Sequence, residues 1–278
     1  WTCFLLYNIM IRRFLYFKNG GVLIKVSLIA SIHDLYFFNA FGVRINPLTI
    51  NDFTAIFERG IKDNIQIVQS GVNASSIVEI KQNLDLLKAY INCDLVNIDG
   101  MSLVWALRFF GYKVPSRVAC PDLAEEVLKI AELNNYKIFM LGTGKEQLQS
   151  AVHNIQIKYP KLEISGYRDG FFKEEEEPGI VELINQAKPN ILFLGLPSPK
   201  KEFFVEKFKN QLHVNYVLGV GGFFDILAGT IKRAPVWMQK IGLEWFYRFM
   251  QEPKRLFRRY FVGNIVFLRL IKNKKKNH

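Results

Sequence analysis

The chain has 278 residues, half of them apolar and 14% aromatic, with a formal charge of +12 at neutral pH and a pI of about 9.5. That length supports one large core, and that composition excludes a disordered or fibrous chain. Cys3, Cys93 and Cys120 are odd in number and far apart; they form neither a disulfide framework nor a metal-ligand spacing, which fits a reducing cytoplasm and three incidental thiols.

Residues 1–40 form an N-terminal extension whose origin the sequence leaves open. It begins with Trp1, and Arg12, Arg13, Lys18, Lys25 and Asp34 interrupt its apolar clusters. No uncharged run approaches the roughly 20 residues that span a bilayer. The charged start, apolar run and small-residue cleavage site of a signal peptide do not occur in that order. A fragment start, an over-extended translation and a weak amphipathic contact each fit such a stretch.

From Phe41 the pattern becomes regular. Apolar, β-branched runs at 65–68, 95–98, 137–141, 191–194 and 216–220 predict strands, and residues 122–134 and 145–158 predict helices between them. The first helix carries Leu123, Val127, Ile130 and Ala131 at helical spacing, with Glu125, Glu126 and Lys129 on its other side. Strands alternating with helices predict an α/β domain over 41–230: a Rossmann-like, mostly parallel sheet flanked by helices. Ligands of such sheets sit at the carboxyl ends of the strands. The acidic run 174–177 reads as a solvated helix start, since carboxylates favour that end of the helix dipole.

Four strand-end loops carry chemistry. Asp99, in Asn97-Ile98-Asp99-Gly100, either caps the helix that follows or faces the cleft as a general base. Gly142-Thr143-Gly144 fits a phosphate loop or a plain strand-to-helix turn; Gln147 stands where a dinucleotide fingerprint needs its third glycine. Ser198, Lys200 and Lys201, around Pro199, compose either an anion site or a helix start with solvated lysines. Gly219, Gly221 and Gly222 let backbone approach a ligand. Asp225 beyond them either accepts from a ribose hydroxyl or base N–H, or caps the next helix.

The segment 231–278 changes character. It holds 13 Lys/Arg against Glu244 and Glu252 alone, so the preceding residues are close to neutral. Leu256, Phe257, Tyr260, Phe261, Ile265, Val266, Phe267 and Leu268 are too apolar for a free surface helix, and with the basic residues they predict a helical appendage on an anionic membrane surface. Arg248, Arg255 and Arg258 recur at spacings that one continuous helix would place on a single face, although Pro253 lies between them. A helix packed on the core with solvated arginines is the alternative.

Together these loops resemble the WecG/TagA/CpsF family of bacterial glycosyltransferases over roughly residues 41–268. The matching pieces are Gly71-Val72-Asn73-Ala74, Asp99-Gly100 with Val104-Trp105-Ala106, Arg117-Val118-Ala119, Asp122-Leu123, the Gly195 to Glu202 run and the Gly219 to Asp225 run. The most specific stretch is Lys232-Arg233-Ala234-Pro235, Trp237-Met238, Gly242-Leu243-Glu244-Trp245, Arg248, Gln251-Glu252-Pro253, Arg255-Leu256 and Arg258-Arg259-Tyr260. The resemblance implies inverting transfer of an N-acetylmannosamine-type sugar from a UDP-sugar to a polyprenyl-diphosphate-linked N-acetylglucosamine, in cell-surface polysaccharide or teichoic acid synthesis. It implies a peripheral protein on the inner face of the cell membrane, a catalytic role for residues 41–230, and a dimer or trimer. Asp99 is then the catalytic base and Arg117 a second catalytic residue. Asn73, Gly142, Gly144, Ser198, Lys200, Lys201, Gly221, Gly222 and Asp225 line the substrate site, and Trp245, Arg248, Arg255 and Arg258 close it over the diphosphates. Three positions depart from the family pattern: Gly71 where some members have Thr, Lys201 where Gln is usual, and Cys120 in place of a glycine.

No Asp-x-Asp triplet for a divalent cation occurs, so arginines and helix N-termini are expected to stabilise the leaving diphosphate, with no cofactor. Transfer of a uronic acid or hexose is the alternative donor reading. Two other classes compete: a dinucleotide-dependent oxidoreductase, opposed by the missing third glycine, and a nucleic-acid-binding basic protein, which no recognised binding motif accompanies.

Overall fold

The computed structural model describes residues 17–18, 21–22 and 35–276. The chain divides into two compact units, Trp1–Leu35 and Tyr36–His278. In the first, the described residues are an antiparallel pair, β1 (Phe17–Lys18) and β2 (Gly21–Val22); the expectations for the rest of that segment lie outside the described residues.

The second unit opens with a hairpin, β3 (Phe38–Ala40) and β4 (Val43–Ile45). Its turn puts Phe41 and Gly42 at φ +57° and +88°, the left-handed pair that matches strand twist in two-residue hairpins. Helix α1 (Ile50–Lys62) follows, started by a capping box between Thr49 and Asp52. Then come β5 (Ile67–Val72), α2 (Ala74–Gln82), α3 (Leu84–Ile91), β6 (Leu95–Ile98), α4 (Met101–Phe109), α5 (Cys120–Asn134), β7 (Ile138–Gly142), α6 (Lys145–Lys158), β8 (Ile164–Arg168), a 3₁₀ turn (Glu174–Glu176), α7 (Glu177–Ala187), β9 (Ile191–Gly195), α8 (Lys200–Phe208) and β10 (Tyr216–Gly219).

Six of these strands form one sheet in the order β6-β5-β10-β9-β7-β8, every pair parallel. This is the expected α/β architecture. The five strands from β6 to β7 are covered on both faces, which is why they read as continuous apolar runs. Edge strand β8 is half-exposed; its Ser165-Gly166-Tyr167 stretch gives no such run and was not anticipated. The first strand begins at Ile67, two residues later than expected, because Ile65 stays exposed outside the ladder. The acidic run does start a helix, but Glu177 is buried and accepts from Lys207 of the neighbouring α8 at 2.7 Å, so its last carboxylate is not solvated.

After β10 comes α9 (Phe223–Leu227), and the basic segment then folds as α10 (Val236–Lys240), α11 (Glu244–Gln251), α12 (Pro253–Phe257), a π-helical turn (Arg258–Val262) and α13 (Gly263–Lys276). The expected continuous helix breaks between Gln251 and Pro253, so Arg248 and Arg255 come from different helices. Helix α13 packs on α2, and Phe267, 2% exposed, joins the apolar cluster of Val72, Ile77, Leu103 and Val104. A second cluster lies between β7, β9, β10 and the helices α7 and α8. Among the described residues no helix is long and apolar enough to cross a membrane.

Candidate active site

Strand order fixes where a site can form. After β7 the chain crosses outward to β8, whereas after β9 it crosses the opposite way to β10. Loops diverge at that switch and leave a crevice at the carboxyl ends. A cavity of about 620 Å³ occupies it, lined by the ends of β5, β6, β7, β9 and β10 and by Arg248, Arg255 and Tyr260 of the basic segment.

Two glycines there answer to packing. Gly142 has φ +147°, and a Cβ on it would stand 2.4 Å from the carbonyl carbon of Gly195; it is not among the cavity-lining residues, whereas Gly144, which starts α6, is. A Cβ on Gly222 would meet the Arg248 guanidinium at 2.5 Å, so that glycine makes room for the arginine. Gly221, at φ +56°, lines the same wall.

Asp225 and Thr143 come together from β10 and β7 through a short hydrogen bond in which the Thr143 hydroxyl donates. Across the cavity Asp99 follows β6, and its Oδ1 accepts from the Cys120 N–H at 2.8 Å. Asn73 caps α2 by accepting from Ser76 N–H. Ser198 donates to Glu79 at 3.1 Å. Lys200, which starts α8, and Lys201 both line the cavity, and both already have protein partners. Lys200 donates to the carbonyls of Gly170 and Phe172 and stands 3.4 Å from the Phe172 ring, pinning that loop. Lys201 pairs with buried Glu202, which also accepts from Tyr90.

Arg248 and Arg255 share Glu252, Arg255 through Nε at 2.7 Å and Arg248 at 3.8 Å. The hydrogen bond from Arg255 lowers the Glu252 carboxyl below its ordinary range. Arg258 is exposed and lines neither this cavity nor the groove beside it. That groove, about 710 Å³, is walled by Trp105, Phe109, Trp245, Phe267 and Leu268. It meets the polar cavity at Asn73, Asp99, Pro121, Arg248 and Tyr260, which belong to both. Arg117 lines the groove alone, 14% exposed, with Nη1 2.8 Å from Glu244.

Sequence reasoning missed Glu79, Tyr260 and Phe171. Phe171 is 80% exposed at the cavity mouth, on the loop that Lys200 pins. Its only sequence signal is an aromatic beside a glycine.

Gly71 and Cys120, the two positions at which the sequence departs from the family pattern beside Asp99, are in contact. A Cβ on Gly71 would stand 2.3 Å from the Cys120 sulfur, so the thiol fills the space that a residue-71 side chain would take. Burial and then Asp99 push the Cys120 thiol well up, and burial with Glu202 pushes Cys93 up to about 12. Both thiols should therefore resist iodoacetamide at pH 8 in the native protein and react within minutes in urea. Peptide mass spectrometry on residues 93 and 120 reads the outcome.

The sequence profile of the glycosyl transferase WecG/TagA/CpsF family matches residues 38–278. Three similar proteins are named N-acetylglucosaminyldiphosphoundecaprenol N-acetyl-beta-D-mannosaminyltransferase. That of Bacillus subtilis (strain 168) is 30% identical over 217 residues, 77% of this chain and 84% of the relative. That of Bacillus spizizenii is 30% identical over 177 residues, 64% and 68% of the two chains. That of Staphylococcus aureus (strain MW2) is 33% identical over 158 residues, 57% and 61%.

Proposed function

The chain belongs to the WecG/TagA/CpsF glycosyl transferase family, and from that premise we propose that it moves an N-acetylmannosamine-type sugar from a UDP-sugar onto a polyprenyl-diphosphate-linked N-acetylglucosamine. One observation carries the reading: a polar cavity and an apolar groove meet at a single carboxylate, Asp99. The cavity suits a nucleotide sugar and the groove a lipid-linked acceptor.

Asp99 removes the proton from the acceptor hydroxyl as that oxygen attacks the anomeric carbon. The bond from this carbon to the β-phosphate oxygen breaks on the opposite face, the configuration inverts, and UDP departs. Arg248 and Arg255 offset the charge that develops on the diphosphate, and the start of α6 at Gly144 offers backbone N–H groups. Asp225, oriented by Thr143, accepts from the nucleoside, and Phe171 offers its ring to the base. Near the sugar, Glu79 and Asp99 are acidic while Lys201 is already matched by Glu202. That balance favours an uncharged sugar over a uronic acid, in agreement with the names of the relatives.

Trp237, Ile241, Phe246, Met250, Phe257, Phe261, Val262, Ile265 and Leu268 are exposed on the basic segment. Together with its cations they support peripheral attachment to the inner face of the membrane. The test is UDP release from UDP-N-acetylmannosamine with a soluble diphosphate-linked N-acetylglucosamine analogue. Release should depend on the acceptor. Faster release from UDP-glucuronic acid or UDP-glucose would overturn the donor assignment.

A further inference from the structure

A charge cluster that contributes Arg117 and Glu244 to the wall of the apolar groove is not used by the chemistry above. Glu244 is the first residue of α11, and each of its oxygens takes one arginine. Oε2 lies 2.8 Å from Nη1 of Arg117, in the loop before α5. Oε1 accepts from Nε of Arg233, ahead of α10, at 3.0 Å. Arg233 also contacts Asp122 in the first turn of α5 and donates to Gln239 of α10 at 2.9 Å. Arg117 lies 4.0 Å from Asp122. Two positive and two negative side chains thus close on each other in half-buried surroundings through charge-assisted hydrogen bonds, which are about twice as strong as neutral ones.

Beyond this cluster the helix is held by ring contacts of Trp245 with Tyr260 and of Phe249 with Phe261. None of the α11 residues is buried, and its first turn has no side-chain cap. At its far end Gln251 exchanges two hydrogen bonds with the backbone of Lys232. Between these anchors α11 carries Trp245, a wall of the groove, and Arg248, which reaches the polar cavity. With no fully buried residue along it, the polar contacts at its two ends set its position together with those rings.

We propose that Glu244 is a positioning residue for sugar transfer: by bridging Arg117 and Arg233 it sets α11 so that Arg248 reaches the cavity that Asp99 also lines. Arg117, nominated for catalysis by the family resemblance, then acts through Glu244 and not on the substrate. The proposal rests on the glycosyltransferase reading only for its kinetic arm.

The experiment compares full-length wild type with Glu244→Gln, Arg117→Ala, Arg248→Ala and the two double variants that pair Glu244→Gln with each arginine change, and adds Glu244→Asp. Each single change should lower kcat by about tenfold, the scale of one lost charge-assisted hydrogen bond, with a smaller change in donor KM. Because all three act through α11, Glu244→Gln combined with Arg117→Ala or with Arg248→Ala should be no more than about twofold worse than the poorer single variant. Glu244→Asp keeps the charge and should recover part of the loss. Losses that multiply would overturn the proposal, since Arg117 would then act independently. Hydrogen exchange needs no activity: amides of residues 244–251 should exchange faster in Glu244→Gln while those of β5 and β9 do not change. Unaltered exchange in α11 overturns the positioning role even if no donor is turned over. Loss of protection throughout the sheet also overturns it, because Glu244 would then be a general stability residue; Glu244→Asp provides the same readout if the Gln variant does not fold.

Discussion

Asp99→Asn should lower turnover by about 10²–10⁴-fold, the usual contribution of a positioned general base, without shifting the thermal unfolding midpoint. The geometry explains why the two effects separate. Asp99 Oδ1 accepts from the Cys120 N–H, and an asparagine carbonyl oxygen can keep that bond. The substitution is isosteric, so Gly71, Asn73 and Cys120 can keep their packing around it. What disappears is the ability to take a proton from the acceptor hydroxyl where groove and cavity meet. Donor KM should change little, because nucleotide contacts lie across the cavity at Thr143, Asp225 and Phe171. Steady-state UDP release alongside calorimetry measures both. Full activity in the variant would remove Asp99 from the chemistry and leave it as an organiser of the Cys120 turn.

Gly71→Thr should destabilise the protein, and Cys120→Gly should relieve it. A Cβ at residue 71 meets the Cys120 sulfur at 2.3 Å, and also stands 3.2 Å from Asn97 Nδ2 and 3.3 Å from Asp99 Cβ. Neither neighbour yields easily, since Asn97 is fully buried and donates to the Val118 carbonyl at 2.7 Å. Overpacking of this kind costs about 1–3 kcal/mol and occasionally more. Removing the thiol vacates that volume, so the double variant should recover at least about 1 kcal/mol relative to additivity. Urea unfolding of the four proteins closes the cycle. Additive losses would mean that the two departures from the family pattern are unrelated.

How far the sequence alone reached follows from what each element buries. Strands β6 and β9 were legible because both of their faces are covered, leaving little besides apolar residues in Leu95–Ile98 and Ile191–Gly195. Edge strand β8 has one open side and no such run. The loops at Asp99 and Asp225 were legible because strand ends are where parallel sheets put ligands. The partners of the charges were not. Nothing in the order of residues says that Lys200 spends its ammonium on two carbonyls, or that Arg117 finds Glu244. Arg258 was misplaced for a backbone reason: the break before Pro253 and the π-helical turn at Arg258–Val262 remove the single helical face its spacing implied.

Phe267 changes how the basic segment can be studied. Its ring is part of the cluster under α2 and α4 although it belongs to the last described helix. Cutting the chain near residue 230 would unplug the core, and emptying a buried phenylalanine site alone costs about 3–5 kcal/mol. A shortened protein that fails to transfer sugar would be reporting a collapsed scaffold as much as lost adhesion. Substitutions at exposed Val262 and Ile265, which line neither cavity nor groove and leave the plug in place, separate the two.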